Sequence, residues 1–150
     1  MIEIKEKLYL LCNDYIANRV AVIKQNIAEA QEAANDDTKS SAGDKFEVGR
    51  EMMQQEIELN FGRMGEMLKL KQALENVHPS HKNTIVSPGA LVYTTAGVYY
   101  MVIGAGKLLL NGTTYYAISP EAPIALLMNG KHAGDDFILN GKTVKIEKIF

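Results

Sequence analysis

The first 78 residues of the chain contain no proline, and this absence is the strongest constraint on the fold. Proline interrupts helices, so a long stretch without it is compatible with long, unbroken helices. The same stretch is rich in Glu, Lys, Gln, Ala, Leu and Met, which favour the helical state. Apolar side chains recur there at spacings of four and three residues, as in Ile4, Leu8, Leu11 and Tyr15. This spacing is typical of a coiled coil.

The apolar stripe changes register near Asn18, which is polar and is expected at the edge of the seam or as a buried residue that fixes the register. The stripe resumes as Ile16, Val20, Ile23, Ile27 and Ala30. A second apolar series consists of Met53, Ile57, Phe61, Met64, Leu68 and Leu74. The two series predict two helices of roughly 30 residues, each about 45–50 Å long at ~1.5 Å per residue.

Residues 35–44 interrupt the helical pattern between the two series. This segment has no large apolar residue and is rich in residues that favour turns and helix caps. Asp36 or Asp37 suits a turn, and Ser40 or Ser41 suits the first position of the next helix. We therefore predict an antiparallel helical hairpin over residues 1–78, with its tip at about residues 35–44. The seam residues become smaller toward this tip, which is expected to project into solvent.

Residues 79–150 have a different pattern, in which short β-prone runs alternate with turn signals. The runs are residues 84–86, 91–93, 98–103, 107–110, 113–118 and 144–149. Asn111-Gly112 and Asn140-Gly141 lie between or before such runs, and Asn-Gly predicts a tight hairpin. An apolar segment at residues 123–128 begins with proline and predicts one or two helical turns. The sequence therefore predicts an α+β protein whose C-terminal domain is a small antiparallel sheet with one short helix.

The charge balance of the chain argues against broad electrostatic binding to nucleic acid. The formal net charge is −2 at pH 7 and the pI is about 5.9, whereas nucleic-acid binding of that kind needs a basic surface. No apolar run approaches the roughly 20 residues of a membrane span. The single cysteine, Cys12, cannot form an internal disulfide, which is typical of a reducing compartment. We therefore expect a cytoplasmic protein without membrane contact.

Several charged or reactive residues have ordinary expected roles. Cys12 lies in a helical pattern and is expected to be a small core or boundary residue. The three histidines lack the spacing of zinc ligands and are expected in solvent. The solvated face of the hairpin is expected to carry Lys5, Lys7, Arg50 and Lys69.

The most specific motif of the chain lies in residues 118–135. A proline can occupy the first position of a short helix, and a glycine can adopt the left-handed conformation that ends it. This order of parts resembles the C-terminal signature of the Gre family of bacterial transcription elongation factors. In the helical half, residues 27–32 and 46–51 show a weaker similarity to the same family. The parts of the C-terminal motif are Ala122-Pro123, residues 124–128, Gly130-Lys131 and Gly134-Asp135.

The resemblance implies an FKBP-like fold for residues 79–150 and RNA polymerase as the partner. Gre factors bind near the secondary channel of the polymerase, and their hairpin reaches toward its active site. Acidic residues at the tip help to hold magnesium, and the polymerase then hydrolyses backtracked RNA. The resemblance thus implies a monomer without catalytic activity of its own, in indirect contact with nascent RNA. The polymerase-binding residues that it implies are Ala122, Pro123, Ile124, Gly130, Lys131, Gly134 and Asp135.

The tip departs from the pattern of the family. Counting back from Arg50, the two acidic positions of the family fall on Lys39 and Ala42, which do not bind magnesium. Counting forward from residues 27–32, they fall near Asp36 and Asp37, and Asp44 is a third carboxylate in reach. The resemblance therefore implies that Asp36 and Asp37 hold a magnesium ion shared with the polymerase, with no cofactor in the isolated protein. The alternative is that these aspartates serve only as turn and cap residues.

Alternative functions remain at this stage. A Gre-like protein can stimulate cleavage, or it can occupy the channel without promoting cleavage and so inhibit or modulate the polymerase. A coiled-coil adaptor that binds another protein or dimerises is a further alternative, and it would pair hairpins between chains. A prolyl isomerase is disfavoured because the aromatic residues of the second half show no pocket pattern. These aromatic residues are Tyr93, Tyr99, Tyr100, Tyr115 and Tyr116.

Overall fold

The computed structural model describes the backbone of residues 2–38 and 43–150 and the side chains of residues 2–35 and 48–150. Over these residues the architecture is α+β, as the sequence predicts. Two long helices are followed by a six-stranded sheet and one short helix. In the ranges given above, none of the helices combines the length and the apolar character that crossing a lipid bilayer requires.

Two helices form the first half of the chain, α1 (Ile2–Thr38) and α2 (Gly43–Glu75). They contain 37 and 33 residues, so both are somewhat longer than predicted. The backbone of α1 continues through Asp36 and Asp37, where the sequence suggested a turn. A single aspartate inside a helix costs less than about 0.7 kcal/mol relative to alanine, so it need not end one. The predicted cap residues Ser40 and Ser41 lie outside the described residues.

The two helices are antiparallel. The Tyr9 hydroxyl, near the start of α1, donates a hydrogen bond of 3.0 Å to the carbonyl oxygen of Leu74, near the end of α2. The buried side of α1 follows the spacing of a coiled-coil seam, but Cys12 takes the place that the sequence suggested for Leu11. The buried apolar residues of α1 are Leu8, Cys12, Ile16, Ile23 and Ala30.

One buried residue of α2 is polar. Asn60 is fully buried, and its Nδ2 donates a hydrogen bond of 2.9 Å to the carbonyl oxygen of Glu56. Its Oδ1 accepts no hydrogen bond. Asn18, which the sequence placed at the edge of the seam or inside it, is exposed. The buried asparagine of the hairpin is therefore Asn60, which the apolar pattern did not mark.

The second half of the chain forms one sheet and a short helix, α3 (Pro123–Met128). The order of the strands across the sheet is β3–β4–β2–β1–β6–β5. The strands are β1 (Leu91–Thr94), β2 (Gly97–Met101), β3 (Gly106–Leu110), β4 (Thr113–Ile118), β5 (Asp136–Leu139) and β6 (Lys142–Ile149).

The two predicted Asn-Gly turns are confirmed. Asn111-Gly112 joins β3 to β4, and Asn140-Gly141 joins β5 to β6. Both asparagines have φ of 52°, and the glycines have φ of 78° and 77°. Tight two-residue hairpins need positive φ at both positions, and Asn-Gly adopts it with the least strain.

The prediction of a wholly antiparallel sheet is wrong, because the sheet is mixed. β2 and β4 are parallel neighbours, with Val98 opposite Tyr115. The chain leaves β2, forms β3 at the edge of the sheet, and returns as β4 between the two. The residue pattern within each strand is the same for either direction of pairing, so the sequence does not reveal this insertion.

Residues 84–86 were predicted as a strand, and this prediction is also wrong. Val86 makes only two isolated backbone hydrogen bonds, to Gly130 and Lys131. It is nevertheless fully buried, which explains its apolar character. A buried loop residue and a short strand have the same local pattern.

The core of this half includes a cluster of residues contributed by α3, by the sheet and by the loop before β1. Buried apolar side chains from these elements make continuous contact, which fixes α3 relative to the sheet. The residues of the cluster are Val86, Ala90, Val92, Met101, Ala125, Met128, Phe137, Val144 and Ile146.

The chain divides into two compact units. The first, here called the base unit, combines Met1–Tyr15 with Lys71–Phe150 and therefore contains the sheet. The second, here called the hairpin unit, is Ile16–Leu70 and contains the remaining parts of α1 and α2. The first turns of α1 thus belong with the sheet by their contacts, although they lie in the helical half of the sequence.

Candidate functional site

The Gre-like segment begins with a turn that leads into α3. The backbone N–H of Glu121 donates to the Ser119 hydroxyl over 3.2 Å, and this hydroxyl donates to the Glu121 carboxylate. The N–H of Ala122 bonds to the carbonyl of Ser119 over 3.0 Å. Pro123 is the first residue of α3, as predicted, because a proline lacks the N–H that this position leaves unpaired.

The end of α3 is held by backbone hydrogen bonds. Gly130 has φ of +78°, so the left-handed residue that the sequence predicts after the helix is confirmed. Its N–H donates to the carbonyl oxygen of Val86 over 2.8 Å. The N–H of Val86 donates in turn to the carbonyl oxygen of Lys131 over 2.9 Å. This pair of bonds anchors the turn after α3 to the loop before β1.

A second turn connects this region to the last hairpin. Gly134 has φ of +95°, and its N–H donates to the carbonyl oxygen of Ile146 over 2.7 Å. The Asp135 carboxylate accepts a hydrogen bond of 2.7 Å from the backbone N–H of His132, and it lies 3.8 Å from Nδ1 of the same residue. Asp135 therefore stabilises the turn in which it lies.

The predicted polymerase-binding residues divide between the core and the surface. Ala122 and Ile124 are half-buried and pack against the core cluster. Pro123, Gly130 and Gly134 are exposed, and Lys131 and Asp135 are half-buried. The structure thus brings all seven residues into one continuous segment, but only part of this segment faces solvent.

Two leucines on the outer side of α3 were not among the predicted site residues. Leu126 is 65% exposed and Leu127 is 41% exposed, whereas Ala125 and Met128 are fully buried. Together with Pro123, the two leucines form an apolar surface at helical spacing, here called the α3 face. The signal was present in the sequence, because positions 123, 126 and 127 share one side of a helix.

The three candidate metal ligands of the tip are Asp36, Asp37 and Asp44. The backbone of Asp36 and Asp37 lies in α1 and that of Asp44 lies in α2, but their side chains lie outside the described residues. Among the side chains that the structure does describe, no group of three or more His, Cys, Asp or Glu residues is arranged to hold a metal ion. The magnesium site therefore stays a prediction.

Lys5 was expected on the solvated face of the hairpin, and this expectation is wrong. Lys5 is only 1% exposed. Its Nζ donates to the carbonyl oxygen of His81 over 2.7 Å, to Oδ1 of Asn83 over 3.1 Å and to the backbone oxygen of Phe150 over 3.0 Å. Burial lowers the pKa of Lys5 to about 8, because the charged form loses its hydration. The three acceptors match the three donors of the ammonium group.

A second buried group in the base unit lies around Cys12. Cys12 is fully buried, as the sequence suggested, and burial raises the pKa of its thiol to about 12. Such a thiol is neutral at physiological pH and is a poor nucleophile. The Tyr100 hydroxyl is buried without a hydrogen-bond partner, and burial raises its pKa, with contributions from Cys12 and Tyr9. This group is a packing feature and not a reactive centre.

No protein-family model matches this chain, and a search of curated proteins gives no match either. The similarity to Gre factors therefore depends on the residues of the chain alone.

Proposed function

We propose that this chain is a Gre-type transcription factor that binds bacterial RNA polymerase at its secondary channel. In this proposal residues 79–150 have an FKBP-like fold, and the protein acts as a cytoplasmic monomer. It has no catalytic activity of its own and acts on backtracked complexes through the polymerase.

The observation that supports this proposal most is the conformation of the Gre-like segment. The segment leaves β4, turns at Ser119, forms α3 from Pro123 and enters the last hairpin after Gly134. This is the order of parts that the resemblance implies. The antiparallel pair of long helices before the sheet is the second supporting observation.

The α3 face is the surface that we assign to the polymerase. Its apolar side chains are exposed, while the backbone after α3 is fixed by hydrogen bonds to Val86 and Ile146. A surface that is already ordered loses little conformational entropy on binding, so its apolar area contributes more fully to affinity. Lys131 and Asp135 supply polar groups beside this face.

The tip carboxylates supply the effect on RNA in this proposal. Magnesium prefers oxygen ligands and retains several waters, so a pair of aspartates is suited to completing a site that the polymerase already holds in part. Asp36 and Asp37 are the ligands that we propose, with Asp44 in reach. Because the ion is shared with the polymerase, we expect no tightly bound metal in the isolated chain.

The test is a transcript-cleavage assay on backtracked elongation complexes, with polymerase alone, with this protein and with the Asp36→Ala/Asp37→Ala variant. We expect cleavage to increase with the protein and to fall by at least about tenfold with the variant, since metal ligands contribute several kcal/mol to such transition states. Binding to core polymerase is measured in parallel. Leu126→Glu should abolish this binding, and Ile138→Glu, an equally exposed apolar site on β5, should not.

Two other results would change the proposal. Binding without cleavage, together with displacement of a genuine Gre factor, would identify a modulator that occupies the channel. The absence of both cleavage and binding would contradict the polymerase as the partner. The coiled-coil adaptor would then become the preferred interpretation.

A further inference from the structure

A stripe of exposed apolar side chains lies along α2 in the hairpin unit. Val48, Met52 and Leu59 are 57%, 59% and 52% exposed. Their spacing of four and seven residues places them on one side of the helix, here called the outer stripe. The buried residues nearest to it in α2, Ile57 and Asn60, lie in a different register. Nothing in the described part of the chain covers the outer stripe.

The charged residues beside the central part of the outer stripe are acidic. Glu51, Glu56 and Glu58 are exposed, and residues 51–62 contain no lysine or arginine, while Arg63, four residues after Leu59, is a basic residue at the end of the stripe. An apolar stripe framed by carboxylates favours an occupant with positive charge.

The charges also disfavour two other occupants. A second copy of the chain would bring the same carboxylates against Glu51 and Glu58, and like charges oppose such pairing. A nucleic acid would bring phosphates, which the same carboxylates repel. The occupant that the charges favour is a protein segment with basic residues.

We propose that the outer stripe binds a basic amphipathic helix of a partner protein. The helix places apolar side chains over Met52 and Leu59, and its lysines or arginines lie beside Glu51, Glu56 and Glu58. The alternation of apolar and charged positions is that of a coiled coil, with charges at the flanks that select the partner. This proposal does not depend on RNA polymerase as the partner.

The test uses two synthetic peptides of about four heptads, with leucine at the core positions and either lysine or glutamate at the flanks. Neither peptide pairs well with itself, because its own flanking charges repel. Binding of fluorescent peptide to the full chain is measured by anisotropy at low and high salt, and helix content by circular dichroism. Sedimentation of the chain alone, and titration of the chain with labelled single-stranded RNA in the absence of peptide, complete the experiment.

We expect the lysine peptide to bind and to gain helix content. The glutamate peptide should bind at least about tenfold more weakly, as three flanking charge pairs of ordinary exposed strength imply. Leu59→Glu should abolish binding of the lysine peptide. The control Leu68→Glu, at a residue that is 59% exposed on the same helix but outside the stripe, should leave it unchanged. Glu51→Lys/Glu58→Lys should reverse the preference between the two peptides.

Any of three results would overturn the proposal: equal binding of the two peptides, unchanged binding by Leu59→Glu, or binding of the labelled RNA to the chain that Leu59→Glu abolishes. Self-association of the chain that Leu59→Glu abolishes would also overturn it, in favour of a second copy. The melting temperatures of all variants should match that of the parent chain, because each substituted side chain is exposed.

Discussion

The base unit and the hairpin unit differ in what they bury. The base unit buries large apolar residues such as Leu91, Tyr100 and Met101, and it also encloses the charged Lys5. Among the described residues, the hairpin unit buries only the apolar Ile16, Ile23, Ala30 and Ile57 and the polar Asn60. A pair of helices has only one mutual interface, whereas both faces of a sheet can be covered. The comparison indicates that the base unit, with its larger core, supplies most of the stability.

The largest effect expected from this difference concerns two leucines. Leu91 is fully buried in the base unit, and Leu91→Ala should lower the free energy of unfolding by about 3 kcal/mol, through lost burial and a new cavity. Leu59→Ala in the hairpin unit, at a half-exposed residue, should cost less than about 0.5 kcal/mol. Urea unfolding followed by circular dichroism measures both. Equal costs would remove the proposed contrast between the units.

The buried ammonium of the base unit gives the next largest effect. Lys5→Met removes the donor from three oxygen acceptors, of which Oδ1 of Asn83 is in a buried residue, and should lower the free energy of unfolding by about 2 kcal/mol. Lys7→Met, two residues away on the exposed side of α1, is the matched control and should have almost no effect. A neutral or stabilising Lys5→Met would mean that the cost of burying the charge exceeds the value of its hydrogen bonds.

Two buried groups of the base unit should have opposite pH dependence. The pKa of Lys5 is lowered from 10.5 to about 8, so the unfolded chain binds the extra proton between these values and stability rises with pH there. The pKa of Cys12 is raised from 9.0 to about 12, so the folded chain keeps its proton and stability falls as pH rises above 9. Each effect amounts to about 1 kcal/mol between pH 9 and pH 10.

These two effects oppose each other in the parent chain, and the raised pKa values of Tyr9, Tyr93, Tyr99 and Tyr100 add a further fall in stability as pH rises. From pH 9 to pH 10, Cys12→Ala should gain stability relative to the parent chain, and Lys5→Met should lose stability relative to it. Urea unfolding at pH 8, 9 and 10 measures the slopes. Parallel curves for the two variants would show that at least one of the groups titrates normally in the folded state.

The smallest effect concerns glycines in the two units. Gly62→Ala in the hairpin unit should raise the free energy of unfolding by about 0.8 kcal/mol, because alanine favours the helix and its Cβ enters open space. Gly89→Ala in the base unit should instead lower it, since φ is +93° and the added Cβ would lie 3.0 Å from Cγ1 of Val77. Thermal unfolding distinguishes the two signs. A destabilising Gly62→Ala would indicate an intrachain contact at that position.

The features that the sequence predicts correctly have local causes. Pro123 at the start of α3 and the Asn-Gly turns are set by the conformational preferences of one or two residues. The parallel pairing of β2 with β4 and the burial of Lys5 depend on distant parts of the chain. The acceptors of Lys5 lie 76, 78 and 145 residues away in the sequence. Only its spacing from Leu8 and Cys12, three and seven residues, hints that it shares their buried side.

The candidate site shows the same division. The turns around α3 are predictable because glycine and proline mark them. Its outer face was missed, although positions 123, 126 and 127 share one side of a helix, because residues 123–128 are all apolar and composition does not separate the exposed side from the buried one. Leu126 is 65% exposed, whereas Met128, two positions later, is fully buried.

The order of the strands has a consequence for synthesis of the chain. β1 is paired on one side with β6, so the base unit joins residues 91–94 to residues 142–149 and encloses the first turns of α1 as well. When the ribosome has made only the two helices and the first four strands, the sheet still lacks β5 and β6, and β6 is an interior strand. The helices can form while the chain emerges, because their backbone hydrogen bonds join residues that are close in the sequence. The base unit must wait until β6 has left the exit tunnel, and until then β1 offers an unpaired edge to any chaperone or neighbouring chain that meets it.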